Sequence, residues 1–168
     1  LVSWFIPFQK WLADSNKPSG KSSREWAESY LATNTMAAEL NTRLAAELNR
    51  LGHRAKVPEN IGFTPEELMS RWSQRHIAWL SGQGTFGMNN MLITEEGCTG
   101  RYFSLVAALP VEHDPILEEE YCLYKKNATC GACMKRCPRQ ALKPEGFDRR
   151  ACWDECGANA ELHHLPDA

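Results

Sequence analysis

The sequence predicts an α+β fold, α/β-like in its ordering, with a cysteine-rich segment appended to it. Three observations carry that expectation. Short apolar, strand-like runs at Val2–Phe8, Met91–Thr94 and Tyr102–Leu109 alternate with amphipathic helical stretches. Two of those stretches open on capping signatures. Cysteines then crowd the last third, where Cys130-x2-Cys133-x3-Cys137-Pro138 is preceded by Cys122 and followed by Cys152 and Cys156. The expected division is an α/β domain over 1–117 and a metal-binding segment over 118–168.

Val2–Phe8 reads as a buried strand ending near Pro7. A polar loop, Asp14–Ser22, follows. Ser22-x-x-Glu25 is a capping box that opens a long helix. Trp26, Tyr30, Ala37, Leu44, Leu48 and Leu51 form its apolar stripe, suited to packing on a sheet, and Gly52 stops it. His53–Val57 is expected to return to the sheet as a short strand. Thr64, Pro65 and Glu67 mark a second helix start, with Phe63 stapled to Leu68, and this helix is expected to run to Gly82 with Trp72, His76 and Trp79 on one face. Gly82, Gly84 and Gly87 then make a loop where backbone approaches something closely. Its spacing is formally G-x-G-x-x-G, but a helix precedes it and a strand follows, the reverse of a dinucleotide fingerprint. Met91–Thr94 and Tyr102–Leu109 are expected to pair across a Glu-Glu-Gly-Cys-Thr-Gly turn. Asp148–Cys156 reads as a short helix, and Gly157–Ala168 as a weakly ordered tail.

The 168 residues carry a net charge of −2, so nothing global invites a nucleic acid. No apolar run approaches the roughly 18 residues of a membrane span. Seven cysteines, an odd number, argue against a fully paired disulfide framework. Clustered in a chain with no signal-peptide pattern, they fit metal ligation in a reducing, cytoplasmic compartment. The lack of an initiator Met and the start inside a strand lead to the expectation that N-terminal sequence is missing, and with it a chain that is less stable than a longer one or that dimerises to cover the gap.

Bacterial ferredoxins hold a [4Fe–4S] cluster with C-x2-C-x2-C-x3-C-P. Here the last three cysteines and the proline match, Asn127 stands at the first position, and Cys122 is the substitute. A four-cysteine zinc knuckle is the alternative, but C-x3-C followed by proline suits an iron–sulfur cluster better. Cys122, Cys130, Cys133 and Cys137 are the preferred quartet. Cys152 and Cys156 compete with Cys137 for the fourth position, because in two-cluster ferredoxins the cysteine before the proline serves the other cluster. One complete cluster is expected.

The segment RWSQRHIAWLSGQGTFGMNNMLITEEGCTGRYFSLVAALP, followed by C-x7-C-x2-C-x3-C-P and FDRRAC, resembles the epoxyqueuosine reductase and reductive dehalogenase group of iron–sulfur proteins. The resemblance implies a nitroreductase-like domain that binds a corrinoid or a flavin, fed with electrons by a ferredoxin-like cluster segment. It implies an oxidoreductase, whose partners would be an electron-donor protein or a small-molecule substrate. Full members carry two complete cysteine quartets, and this chain has one cysteine too few, with Cys98 isolated. No catalytic residue carries over: Glu66 and Glu67 sit where helix capping explains them. Arg75, His76, Asn89, Asn90 and Arg101 are the polar residues expected around the cofactor or substrate, near the glycine loop. The alternatives are an electron carrier without its own catalytic site and a zinc-stabilised interaction module.

Overall fold

A computed structural model of the chain describes residues 1–17, 20–59, 63–64 and 66–164. It is a mixed α+β structure with small antiparallel sheets. In chain order the elements are β1 (Val2–Pro7), α1 (Lys10–Asp14), α2 (Arg24–Arg50), β2 (Ala55–Lys56), β3 (Phe63–Thr64), β4 (Met69–Ser70), α3 (Gln74–Leu80), β5 (Thr85–Phe86), β6 (Leu92–Ile93) and β7 (Gly100–Ala107). The cysteine-rich part adds α4 (Leu123–Asn127), α5 (Ala132–Arg136), β8 (Leu142–Lys143), β9 (Gly146–Phe147) and α6 (Arg149–Leu162). Among the described residues, no helix is long and apolar enough to cross a membrane.

β7 is the centre of the three-stranded sheet, in the order β1-β7-β2, with both neighbours antiparallel. Its side chains alternate between the two faces, as strand geometry requires. Tyr102 and Ser104 face α3: Tyr102 packs with Ala78 and Leu92, and the Ser104 hydroxyl donates to Gln74 Oε1 at 2.6 Å. On the other face Arg101 reaches α2, where its Nε donates to Asn34 Oδ1 at 3.0 Å. Trp4 packs on Phe103 with the rings tilted by 37° and donates its indole N–H to Asn41 on α2 at 3.0 Å. The core is Ala78, Leu92 and Tyr102, closed by Phe5, Trp79 and Phe86.

α2 packs on the sheet and ends at Leu51, with Gly52 at φ +86°, as the sequence indicates. Its deepest residues are Ala27, Ala37, Asn41 and Ala45. Of the expected stripe, Ala37 is fully buried, Leu51 is exposed, and the larger residues lie at the half-buried flanks. Small side chains let the helix approach β7 closely, and Asn41 is tolerated because it is fully used: it accepts from Trp4 and donates to the Ser104 carbonyl at 3.3 Å. The N-cap is Ser23, whose Oγ accepts from Trp26 N–H at 3.0 Å, one residue later than expected. Ser22 is engaged elsewhere, by α6.

Four expectations are corrected. The helix expected from Thr64 starts ten residues later, at Gln74, capped by Ser73; Phe63–Thr64 and Met69–Ser70 form a hairpin instead. Thr64 does bond to Glu67, at 3.1 Å, but within the turn, and Leu68 at φ +52° cannot continue a helix. Trp72 therefore precedes α3, and donates its indole N–H to Ser104 Oγ at 3.1 Å. Pro65 and the side chain of Phe63, parts of the expected helix start, lie outside the described residues. Second, β6 pairs with β5 and not with β7, because β1 and β2 already occupy both edges of β7. Third, the chain between the first strand and the polar loop is not plain connection: Lys10–Asp14 is a short helix. Fourth, Gly157–Leu162 is not a loose tail: it completes α6, while 165–168 lie outside the described residues.

Candidate functional site

The cysteine-rich segment is stitched to the glycine loop by Glu120 and Cys122. Glu120 Oε1 accepts from the Thr85 hydroxyl at 3.1 Å and from Cys122 N–H at 2.8 Å. Thr85 Oγ1 in turn accepts from Tyr121 N–H at 3.0 Å. Cys122 is consequently buried, at 8% exposure, and its Sγ accepts from Met88 N–H of the loop at 3.5 Å. Lys125 donates to the Phe86 carbonyl beside it. The close approach anticipated for the glycines is real at Gly84, where a Cβ would stand 2.0 Å from the Ile93 carbonyl oxygen.

From Cys122 the chain turns through α4, whose C-cap Ala128 is left-handed, into the exposed Cys130. Gly131, at φ +133°, folds the backbone so that its own N–H and that of Ala132 point at the Cys130 sulfur. Those two N–H groups, with Lys135 nearby, hold the Cys130 thiol below its ordinary range. Cys133 is pushed up, first by burial, although Met134 N–H bonds its sulfur; the charges of Cys122 and Cys130 act on it as neighbours. Cys137 Sγ accepts from Ala141 N–H at 3.2 Å. Main-chain N–H groups thus donate to the sulfurs of Cys122 and Cys137, and those beside Cys130 favour its thiolate.

Cys152 and Cys156, both free thiols, lie one turn apart on α6, and their mutual interaction raises Cys152 and lowers Cys156. Cys98 stands apart from both groups and accepts from Asn89 Nδ2 at 3.3 Å. Among the described residues, no three His, Cys, Asp or Glu side chains converge as they would around a single ion. A cubane puts a separate iron behind each thiolate, so its ligands stand wider apart than those of one ion. Thiolate sulfurs that receive N–H bonds suit such a cluster.

The five polar residues expected at the cofactor site divide. Arg75 is half-buried and uses Nη1 on the Asn90 carbonyl and, at 3.9 Å, on Met91 Sδ. Burial lowers its guanidinium from the ordinary range, and Cys152, Arg101, Arg149 and Tyr102 are the charges that act on it. Arg101 lies over the Tyr30 ring, 4.4 Å from its centroid, a cation–π contact that fixes it beside α2. Asn89 is taken up by Cys98 and by Met91 N–H at 3.1 Å. His76 is exposed, bonds to Ser73 Oγ at 2.7 Å and packs on Phe86 of the glycine loop. Arg149 was not among the expected site residues. The FDRRAC run could have found it, since it places Arg149 three residues before Cys152 on a helix. The N–H groups of Met88, Ala132 and Ala141 leave no trace in side-chain patterns. Compared with protein-family models, with curated proteins and with solved structures, the chain matches none.

Proposed function

We propose that this chain is an iron–sulfur redox protein that holds one [4Fe–4S] cluster on Cys122, Cys130, Cys133 and Cys137. In this reading it is a reductase resembling the epoxyqueuosine reductase and reductive dehalogenase group, with a nitroreductase-like part and a ferredoxin-like segment. The observation that carries the reading is that main-chain N–H groups reach these sulfurs: Met88 N–H donates to Cys122 Sγ at 3.5 Å and Ala141 N–H to Cys137 Sγ at 3.2 Å, while the N–H groups that follow Cys130 favour its thiolate. When bound, such a cluster supplies one-electron transfer at a potential set by these bonds and by nearby charge. The N–H donors and Lys135 favour added negative charge on the thiolates. Cys130 is the exposed member and gives a donor access, whereas Cys122 is buried against the glycine loop.

The same loop carries Asn89 and Asn90, and the latter's carbonyl holds Arg75. Electrons leaving past Cys122 therefore reach the side of the chain where Arg75 and Arg101 would orient an acceptor, a corrinoid, a flavin or the substrate itself.

The test is optical and anaerobic. The full chain, reconstituted with iron and sulfide, should show a broad brown absorption that bleaches with dithionite. Cobalamin and flavin are then titrated separately. Tight binding of either supports a reductase with its own acceptor site, and binding of neither leaves an electron carrier. A colourless chain that takes up zinc stoichiometrically and no iron would overturn the proposal.

A further inference from the structure

The polar loop between α1 and α2 meets the cysteine-rich segment at a cavity of about 460 Å³. Lys17, Lys21 and Arg136 line it together with Ala13, Asn16 and Ser22, and among the described residues no acid does. The two lysines come from the loop, while Arg136 is the last residue of α5, directly before Cys137. Two contacts hold the walls in place. Asn16 Oδ1 accepts from Ser23 N–H, at the N-cap of α2, at 2.8 Å. Glu155 of α6 takes Lys21 on one oxygen and Arg139 on the other, both at 2.7 Å, which fastens the loop to the chain just after Pro138.

The charges around this cavity do not balance. Asp14 is shared by Lys10 and Lys17, and Glu155 by Lys21 and Arg139, on which Asp154 also acts. Arg136 has no carboxylate at ion-pair distance among the described residues. Lys10, Lys17, Lys21, Arg136 and Arg139 thus face Asp14, Asp154 and Glu155, and none of these acids lies in the cavity wall. The Lys17–Asp14 pair has side chains 59% and 36% exposed, so it is weak and lets Lys17 turn to a better-placed anion. A guanidinium fork matches two phosphate oxygens, and flanking ammonium groups act on a third as point charges. The volume is that of a small-molecule site and leaves room for more than a bare ion.

We infer that this cavity binds a phosphate group, free or carried by a small molecule, with Arg136 as the fork and Lys17 and Lys21 as flanking charges. Its walls come from the approach to α2 and from the cysteine segment, so an occupant clamps the one to the other. The inference does not rest on the iron–sulfur reading.

The experiment is calorimetric titration of the full, iron-free chain with AMP at fixed ionic strength, with orthophosphate, adenosine and chloride run alongside. AMP is expected to bind saturably and adenosine not to bind. Orthophosphate as tight as AMP assigns the site to the free ion, and weaker orthophosphate assigns it to a phosphorylated molecule; both outcomes support the inference. Affinity for AMP should fall about tenfold in Arg136→Gln and about threefold in Lys17→Gln, and stay unchanged in Arg54→Gln, an exposed arginine elsewhere. Circular dichroism shows whether Arg136→Gln keeps its fold beside Cys137; Lys17→Gln, at an exposed position in the loop, carries the test if it does not. AMP no tighter than chloride, adenosine as tight as AMP, or an affinity unchanged in Lys17→Gln overturns the inference. Iron assayed on a reconstituted sample separates the two ideas. Iron taken up by a chain that does not bind AMP sinks this inference alone, and AMP bound by a chain that takes up no iron sinks the iron–sulfur reading alone.

Discussion

Ser22 and Asn159, 137 residues apart, are joined twice: Asn159 Oδ1 accepts both the N–H and the hydroxyl of Ser22, each at 3.0 Å. His163 adds a bond to the Ser22 carbonyl at 2.7 Å. This clasp holds the last helix against the start of α2, and so fixes where Arg149, Cys152 and Cys156 stand. Asn159→Ala is expected to cost about 1–3 kcal/mol, the range for losing part-buried hydrogen bonds. Hydrogen exchange should show protection lost first in α6. Uniform loss across the chain would mean that the clasp is not local.

Asn41 is a polar residue in the place of a core hydrophobe, bridging Trp4 and the Ser104 carbonyl. Asn41→Leu keeps the volume but strands both partners. A loss of about 2 kcal/mol or more in urea unfolding is expected, since a buried unpaired N–H costs more than the bond was worth. A neutral result would show that water reaches the Trp4 indole.

Glu155 pairs with Lys21 and with Arg139, both at 2.7 Å, and its side chain is 13% exposed. Lys21, then Arg139, holds the carboxyl below its ordinary range. A depressed carboxylate contributes stability that is present above the unfolded value near about pH 4.3 and is lost as pH falls through the folded one. The partners are partly exposed, so solvent limits the gain to about 1 kcal/mol. Glu155→Gln should thus be less stable than wild type at neutral pH and equal to it in strong acid. A gap that stays constant with pH would refute the pairing.

Gly84 and Gly146 make an opposed pair. A Cβ at Gly84 would stand 2.0 Å from the Ile93 carbonyl oxygen, a backbone atom that cannot swing away, whereas one at Gly146 meets nothing within 4 Å. Gly84→Ala should destabilise by about 2 kcal/mol or more and loosen the loop behind Cys122. Gly146→Ala should be close to neutral in thermal unfolding.

Local signals were legible and partner choice was not. The strand ending at Pro7, the stop at Gly52 and the tight backbone at Gly84 each depend on a residue and its neighbours, so the chain spells them out. The pairing of β6 depends on β1 having taken the edge of β7, 100 residues away in places. Thr64-Pro65-Glu66-Glu67 has the chemistry of a helix start, yet Ser73 caps instead; Leu68 in a left-handed conformation ends that possibility. The cysteine spacing pointed to the quartet, but the N–H groups aimed at its sulfurs belong to backbone that sequence patterns do not display.

The most direct test of the central claim is iron and sulfide content of the anaerobically reconstituted full chain, with single Cys→Ser variants at 137, 152 and 156. About four irons and four sulfides per chain are predicted for wild type, as one cubane holds. Cys137→Ser should lose the cluster, while Cys152→Ser and Cys156→Ser keep it. Retention in Cys137→Ser with loss in either α6 variant, or about eight irons per chain, would contradict the local quartet.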